Sequence, residues 1–173
     1  MTTITIPTDE DFGVADYIDG RESLCLHELA EQIIARDPRL VHLSPDGPGG
    51  ETADGDPFPP IGVRYAWRRK GPTSQGLPVA AKCQKLSGLG KHYACADFTI
   101  WLAADLIRQR EWTDDQIAAC LWHELRHISF EDDKVSIAGH DYELFVGELE
   151  MWGAWHQELE DLVVEAKQLE FAL

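Results

Sequence analysis

LWHELRHISF, residues 121–130, is the stretch on which the reading of the whole chain turns. His123 and His127 stand four positions apart, with Glu124 directly after the first. On an α-helix such positions lie on one face, one turn above the other. Both imidazoles can therefore present a ring nitrogen to one divalent cation at about 2 Å. Glu124 sits about 100° further round the helix. From there its carboxylate can reach water beside the metal without ligating it, and act as a general base. Neutral imidazoles suit a borderline-soft ion such as Zn²⁺, which is the expected cofactor.

The flanks support a helix. Thr113-Asp114-Asp115-Gln116 is a capping-box pattern, Thr accepting from the third backbone amide after it while Gln reaches back. Behind it, Ile117, Cys120, Leu121, Leu125 and Ile128 form an apolar stripe directed at a core. The motif is thus expected in mid-helix, with EDDKVSIAG following as a loop and a long closing helix from about Asp141 to Leu169.

Two histidines do not complete a catalytic zinc site, which ordinarily takes three protein ligands. His140, Glu143, Glu148 and His156 compete for the third place. His140 follows Gly139, where the chain can turn back, and Glu143 lies one helical turn later. Glu148 suits a site whose third ligand comes from a second helix. His156 lies about 24 Å along that helix from His140 and falls away. Asp141 is either a carboxylate that orients a ligating imidazole or an acid favoured by the helix dipole.

Upstream, the first 20 residues are acidic and aperiodic and read as a mobile lead-in. Ser23 to Ala35 carries a helical stripe ended by Asp37-Pro38. Within it His27-Glu28-Leu29-Ala30-Glu31 imitates the start of the metal motif, but its fifth position is Glu, a surface coincidence. Ser44 to Pro60, rich in Gly, Pro and Asp, is a long loop. Three strand-like runs follow, Ile61–Arg69, Val79–Leu86 and Tyr93–Leu102, the last rolling into helix across Ala103–Arg110. Helix, small sheet, motif helix and closing helix make an α+β chain, expected to form a single domain over residues 1–173.

With 15 Lys and Arg against 31 Asp and Glu, the formal charge is −16, which opposes general affinity for nucleic acid. The charge is uneven. No acid occurs from Pro57 to Ala96, where Arg64, Arg68, Arg69, Lys70, Lys82, Lys85 and Lys91 all fall. That segment reads either as a basic β region against an acidic body or as a groove for an anionic partner, nucleic acid included. Cys25, Cys83, Cys95 and Cys120 lack CxxC spacing, and neither a signal peptide nor a membrane span is visible. A cytoplasmic protein with reduced thiols is expected.

LWHELRHI followed by HDYELFVGELEMWGAW resembles the phage metallopeptidase family. In that family a HELxH helix is followed by a His-Asp pair, a Phe four residues on, and a Gly-x-Trp ending. His140-Asp141, Phe145 and Gly153-Ala154-Trp155 match in kind and order. RYAWRRKG, VAAKCQKL and DFTIWLA fit the family's preceding sheet. Arg126, bulky beside the ligands, and Leu144, where an acid is common, depart from the pattern. The resemblance extends from about Leu24 to His156. It implies a compact zincin-like fold with a small antiparallel sheet, distantly like the SprT-like metallopeptidases. It also implies His140 as third ligand and a phage origin, so that the cytoplasm would be the host's.

The function expected is a zinc-dependent metallopeptidase, an endopeptidase rather than an exopeptidase. His123, His127 and His140 are the metal ligands, Glu124 is the base, and a protein or peptide is the substrate. Asp97–Leu102 is the strand expected to align it by β-addition. Two rivals stand beside this: a catalytically silent, metal-stabilised binding protein of a phage, and a DNA-associated SprT-like protease.

Overall fold

The computed structural model describes residues 4–20, 26–48, 55–56, 59–74, 76–139, 151–153 and 155. The chain divides into two compact units, Met1–Gly139 and His140–Leu173. The expected closing helix falls in the second unit and, but for residues 151–153 and 155, lies outside the described residues.

The first unit is built on a four-stranded sheet of order β1-β2-β6-β5. Its members are β1 (Tyr17–Asp19), β2 (Val63–Arg68), β5 (Ala81–Lys85) and β6 (Phe98–Ala103), with the short β3 (Thr73–Ser74) and β4 (Leu77–Pro78) forming a separate ribbon. The α+β class holds. The outer pairs β1–β2 and β5–β6 are antiparallel, as expected, but the central β2–β6 pair is parallel.

Burial explains that order. In FTIWLA of β6 only Thr99 is not buried, so the strand must have neighbours on both flanks and cover on both faces. In AKCQK of β5 only Cys83 is buried, which suits a sheet margin. Asp97–Leu102, expected as the substrate-aligning edge strand, is therefore the interior strand, and β5 is the edge. The Tyr93 end of that run is also corrected. Residues Gly88–Ala94 form a helix, α3, closed by Cys95 in the left-handed region (φ 47°), and the strand starts at Phe98.

Two helices, α2 (Leu26–Arg36) and α5 (Asp114–Arg126), pack on one face of the sheet and on each other. Along β2 the buried side chains are Tyr65 and Trp67, while Arg64, Ala66 and Arg68 on the opposite face stay half-buried. The core joins Leu26, Ala30 and Ile33 of α2 to Ile117, Leu121 and Leu125 of α5 above Trp67, Phe98, Ile100 and Leu102. A short α4 (Ala104–Gln109) links β6 to α5.

The acidic lead-in is not loose. Ile4 and Phe12 are buried, Asp9–Phe12 form α1, and β1 pairs Tyr17 with Arg68 and Asp19 with Ala66. The alternation of a three-residue strand is too brief to stand out in sequence. EDDKVSIAG is likewise a structured element. Its first residue, Glu131, ends β7 (Ile128–Glu131), which turns back as β8 (Lys134–Ile137). Asp132 and Asp133, at φ 50° and 59°, make the tight turn. The described parts of Ser44–Pro60 hold neither helix nor strand, and among the described residues no helix is long and apolar enough to cross a membrane.

Candidate metal centre

α5 begins as its sequence requires. Thr113 Oγ1 accepts from the Gln116 amide at 3.3 Å, and the Thr113 amide donates to Gln116 Oε1 at 2.9 Å. Its apolar stripe fixes the rotation of the helix on the sheet, which in turn fixes where the motif points. The motif is not in mid-helix. The helix ends at Arg126, and His127 is its C-cap, still helical at φ −68° and ψ −15°. His123, Glu124 and His127 thus occupy the last turn, where unsatisfied carbonyls give the helix its negative end and favour a cation.

One ligand atom from each of the three side chains can be chosen so that all lie within 4.8 Å of one another. The imidazole centroids are 5.1 Å apart and the ring planes 77° from each other. Glu124 is buried at 7% exposure, between half-buried histidines. Among the described residues this is the one group of three or more His, Cys, Asp or Glu with metal-holding geometry.

The hairpin sets the chemistry of His127. Nδ1 of His127 lies 2.8 Å from the carbonyl oxygen of Ala138, and the Ala138 amide donates to the carbonyl of His127 at 2.7 Å. A carbonyl can only accept, so Nδ1 carries the proton and the lone pair belongs to Nε2, the nitrogen available for coordination. This donor set, two imidazoles with a fixed tautomer in one and a buried carboxylate beside them, fits a zinc-like divalent ion. Cys83 of β5 does not add a thiolate. Burial, and secondly the charge of Glu124, push its thiol up to about 12.

Two struts tie this end of α5 to the rest of the unit. Trp122 Nε1 donates to Asp37 Oδ2 at 2.6 Å, and Arg39 holds the same carboxylate through its Nε at 3.0 Å. His42 Nε2 donates to the carbonyl of Ile128 at 2.7 Å. The acceptor Asp37 and the donor His42 both come from the turn Pro38–Leu43, a 3₁₀ segment capped by Asp37. Sequence reasoning found neither Asp37 nor His42 as supports, because partners 85 and 86 positions apart leave no local pattern. Ala138 could not be found at all, since it acts through its backbone.

Of the other residues singled out from sequence, His27 pairs with Glu31 at 3.2 Å and stacks obliquely on Tyr65, outside the metal cluster. Arg126 packs over the Trp122 ring at 5.8 Å. His140, Asp141, Glu143, Glu148 and His156 lie outside the described residues.

A family model described as "Putative phage metallopeptidase" matches residues 21–167. The chain belongs to that family. The match takes in the whole sheet from β2 onward, both large helices, the hairpin and the His140-Asp141 pair, and leaves out β1 and the N-terminal segment. No curated protein and no solved structure matches the chain. For a phage metallopeptidase, the grouping of His123, Glu124 and His127 is the geometry on which a metal-dependent hydrolysis can be built.

Proposed function

We propose that this phage metallopeptidase is a zinc endopeptidase, with His123, His127 and His140 as metal ligands and Glu124 as the general base. The observation that carries the reading is the cluster itself, in which a buried carboxylate stands within 4.8 Å of two imidazole ligand atoms at the negative end of a helix. Zinc, when bound, supplies Lewis acidity that polarises the scissile carbonyl and acidifies water.

The chain's own residues supply the remainder. His127 enters as the Nε2 ligand because Ala138 fixes its tautomer. Glu124 accepts a proton from the attacking water and returns it to the departing amine, a transfer that needs a carboxylate close to the metal but not bound to it. Its burial keeps bulk water from competing for that proton. The outer margin of β5, which no strand among the described residues pairs with, offers its backbone to an extended peptide. Glu143 and Glu148 are the alternatives for the third ligand.

The test combines metal content with turnover. Glu124→Gln is expected to keep one zinc per chain and to lose hydrolysis by at least about a hundredfold, the lower range of general-base contributions. His127→Ala is expected to lose zinc. Zinc retained by His140→Ala but lost in Glu143→Ala or Glu148→Ala would move the third ligand. Hydrolysis undiminished in Glu124→Gln would overturn the mechanism, and a zinc-loaded wild type that cleaves nothing would leave a metal-stabilised binding protein.

A further inference from the structure

β5 pairs with β6 on one flank, and no strand among the described residues pairs with its other flank. The ladder fixes which of its backbone groups face outward. Ala103 donates to the carbonyl of Ala80 at 2.7 Å, and Leu86 to the carbonyl of Asp97 at 2.7 Å. Bonded and non-bonded pairs alternate in an antiparallel ladder. Lys82 and Gln84 therefore direct their amide and carbonyl groups to β6, whereas Ala81, Cys83 and Lys85 turn theirs outward. The middle member of that outward set is Cys83, whose buried side chain lies on the face of the sheet against which α5, the helix that carries Glu124, packs. A chain hydrogen-bonded along β5 is thereby brought past the general base at Cys83.

Side chains of an added strand alternate faces in step with those of β5. The residue opposite Cys83 points toward α5. Its neighbour opposite Lys82 points to the other face, where the exposed Lys82 ammonium stands. Directly opposed residues place their Cβ atoms about 4.5–5.5 Å apart, close enough for an ion pair. The surroundings have the same sign: Lys85 is exposed at the end of the strand, where it donates to the carbonyl of Val135, and Pro57–Ala96 contains no acid. In a chain of charge −16, whose acidic body repels acidic peptides, this basic margin is a place where an acidic strand is favoured.

We infer that the peptide taken along β5 is acidic, with an Asp or Glu paired to Lys82 one residue away from the residue that faces Cys83 and Glu124. This rests on the peptidase reading and names the substrate class for it. Lys82 is then a specificity residue, acting through charge on a position next to the reacting centre.

The experiment is cleavage of a proteome-derived peptide library by the full-length, zinc-loaded protein, with products sequenced by mass spectrometry. The expected result is about threefold enrichment of Asp and Glu at one position close to the cleaved bond, the scale of one cross-strand ion pair. Lys82→Glu is expected to transfer the enrichment at that position to Lys and Arg, and added salt to weaken it. Cleavage without acidic enrichment, or an acidic enrichment unchanged by Lys82→Glu, overturns the inference and leaves the peptidase reading standing. Absence of any cleavage by the wild type overturns both.

Discussion

His127 and Ala138 hold each other twice, through Nδ1 to carbonyl at 2.8 Å and carbonyl to amide at 2.7 Å, so the β7–β8 hairpin ends on a candidate metal ligand. The strength of that clasp depends on the turn at the far end of the hairpin. Asp132 and Asp133 both sit at positive φ, a conformation that Asp tolerates and β-branched residues resist. Asp133→Val is expected to loosen the hairpin and lower zinc affinity about tenfold, the lower range for losing a partner that orients a ligand. Asp133→Gly, which favours the turn, should keep wild-type affinity. Titration against a competing chelator measures both, and equal affinities in the two variants would remove the hairpin from the metal site.

The Trp122–Asp37 strut is a stability element with its own pH signature. Burial by itself would raise the Asp37 carboxyl. Hydrogen bonds from Trp122 and Arg39, with the Arg39 charge, outweigh it and hold the group below its ordinary value. A carboxylate depressed in the folded state stabilises the fold above its ordinary range, and that contribution is lost as pH falls through and below about 4. Asp37→Ala removes the carboxylate to which the Trp122 indole N–H and the Arg39 guanidinium both bind, at a cost of about 2–4 kcal/mol. Urea denaturation at pH 7 and pH 3 checks this. The difference between wild type and Asp37→Ala should shrink at the lower pH.

These supports mark where the sequence stops being informative. The capping box at Thr113, the stripe from Ile117 to Leu125 and the HExxH spacing are local patterns, and each reappears in the structure at its position. β6 as an apolar strand was equally legible, but its place in the sheet was not. Nothing local in the Ile61–Arg69 and Val79–Leu86 runs shows that β6 lies between them, a place that its burial on both faces requires. EDDKVSIAG read as a loop because Asp-Asp supplies a turn at two residues while the four-residue strands beside it are too short for a clear alternation. The end of the motif helix at Arg126 carries no Gly or Pro signal, and the β-hairpin itself terminates it.

His42 gives a second pH window. Burial is the main influence lowering its imidazole below the ordinary value, helped by the Arg126 charge and opposed by the bond to the Ile128 carbonyl. The neutral ring is the form that the fold accepts. Between the lowered folded value and the ordinary value near 6.5, the unfolded chain binds more protons, so stability rises with pH across that window. Wild type should lose stability as pH falls below about 6.5, and His42→Gln, which can still donate to Ile128 without titrating, should lose less. Thermal melts at pH 7.5 and 5.5, in chelator so that metal binding does not contribute, read the difference directly.

Removal of metal reads on stability too, because the candidate ligands His123 and His127 lie at the junction of α5 and the hairpin and not on a separate loop. A metal bound only by the folded state adds about 2.7 kcal/mol when it is present at 100 times its dissociation constant. Zinc should therefore raise the midpoint of thermal unfolding, and a chelator should return it to the metal-free value. Loss of that response is expected in His123→Ala and His127→Ala, since each removes one imidazole of the pair. Glu124→Gln should keep the full response, because the carboxylate serves proton transfer and the amide takes up nearly the same volume in its buried site. A Glu124→Gln variant that no longer answers to zinc would make Glu124 a ligand, and the general base would have to be sought among other residues.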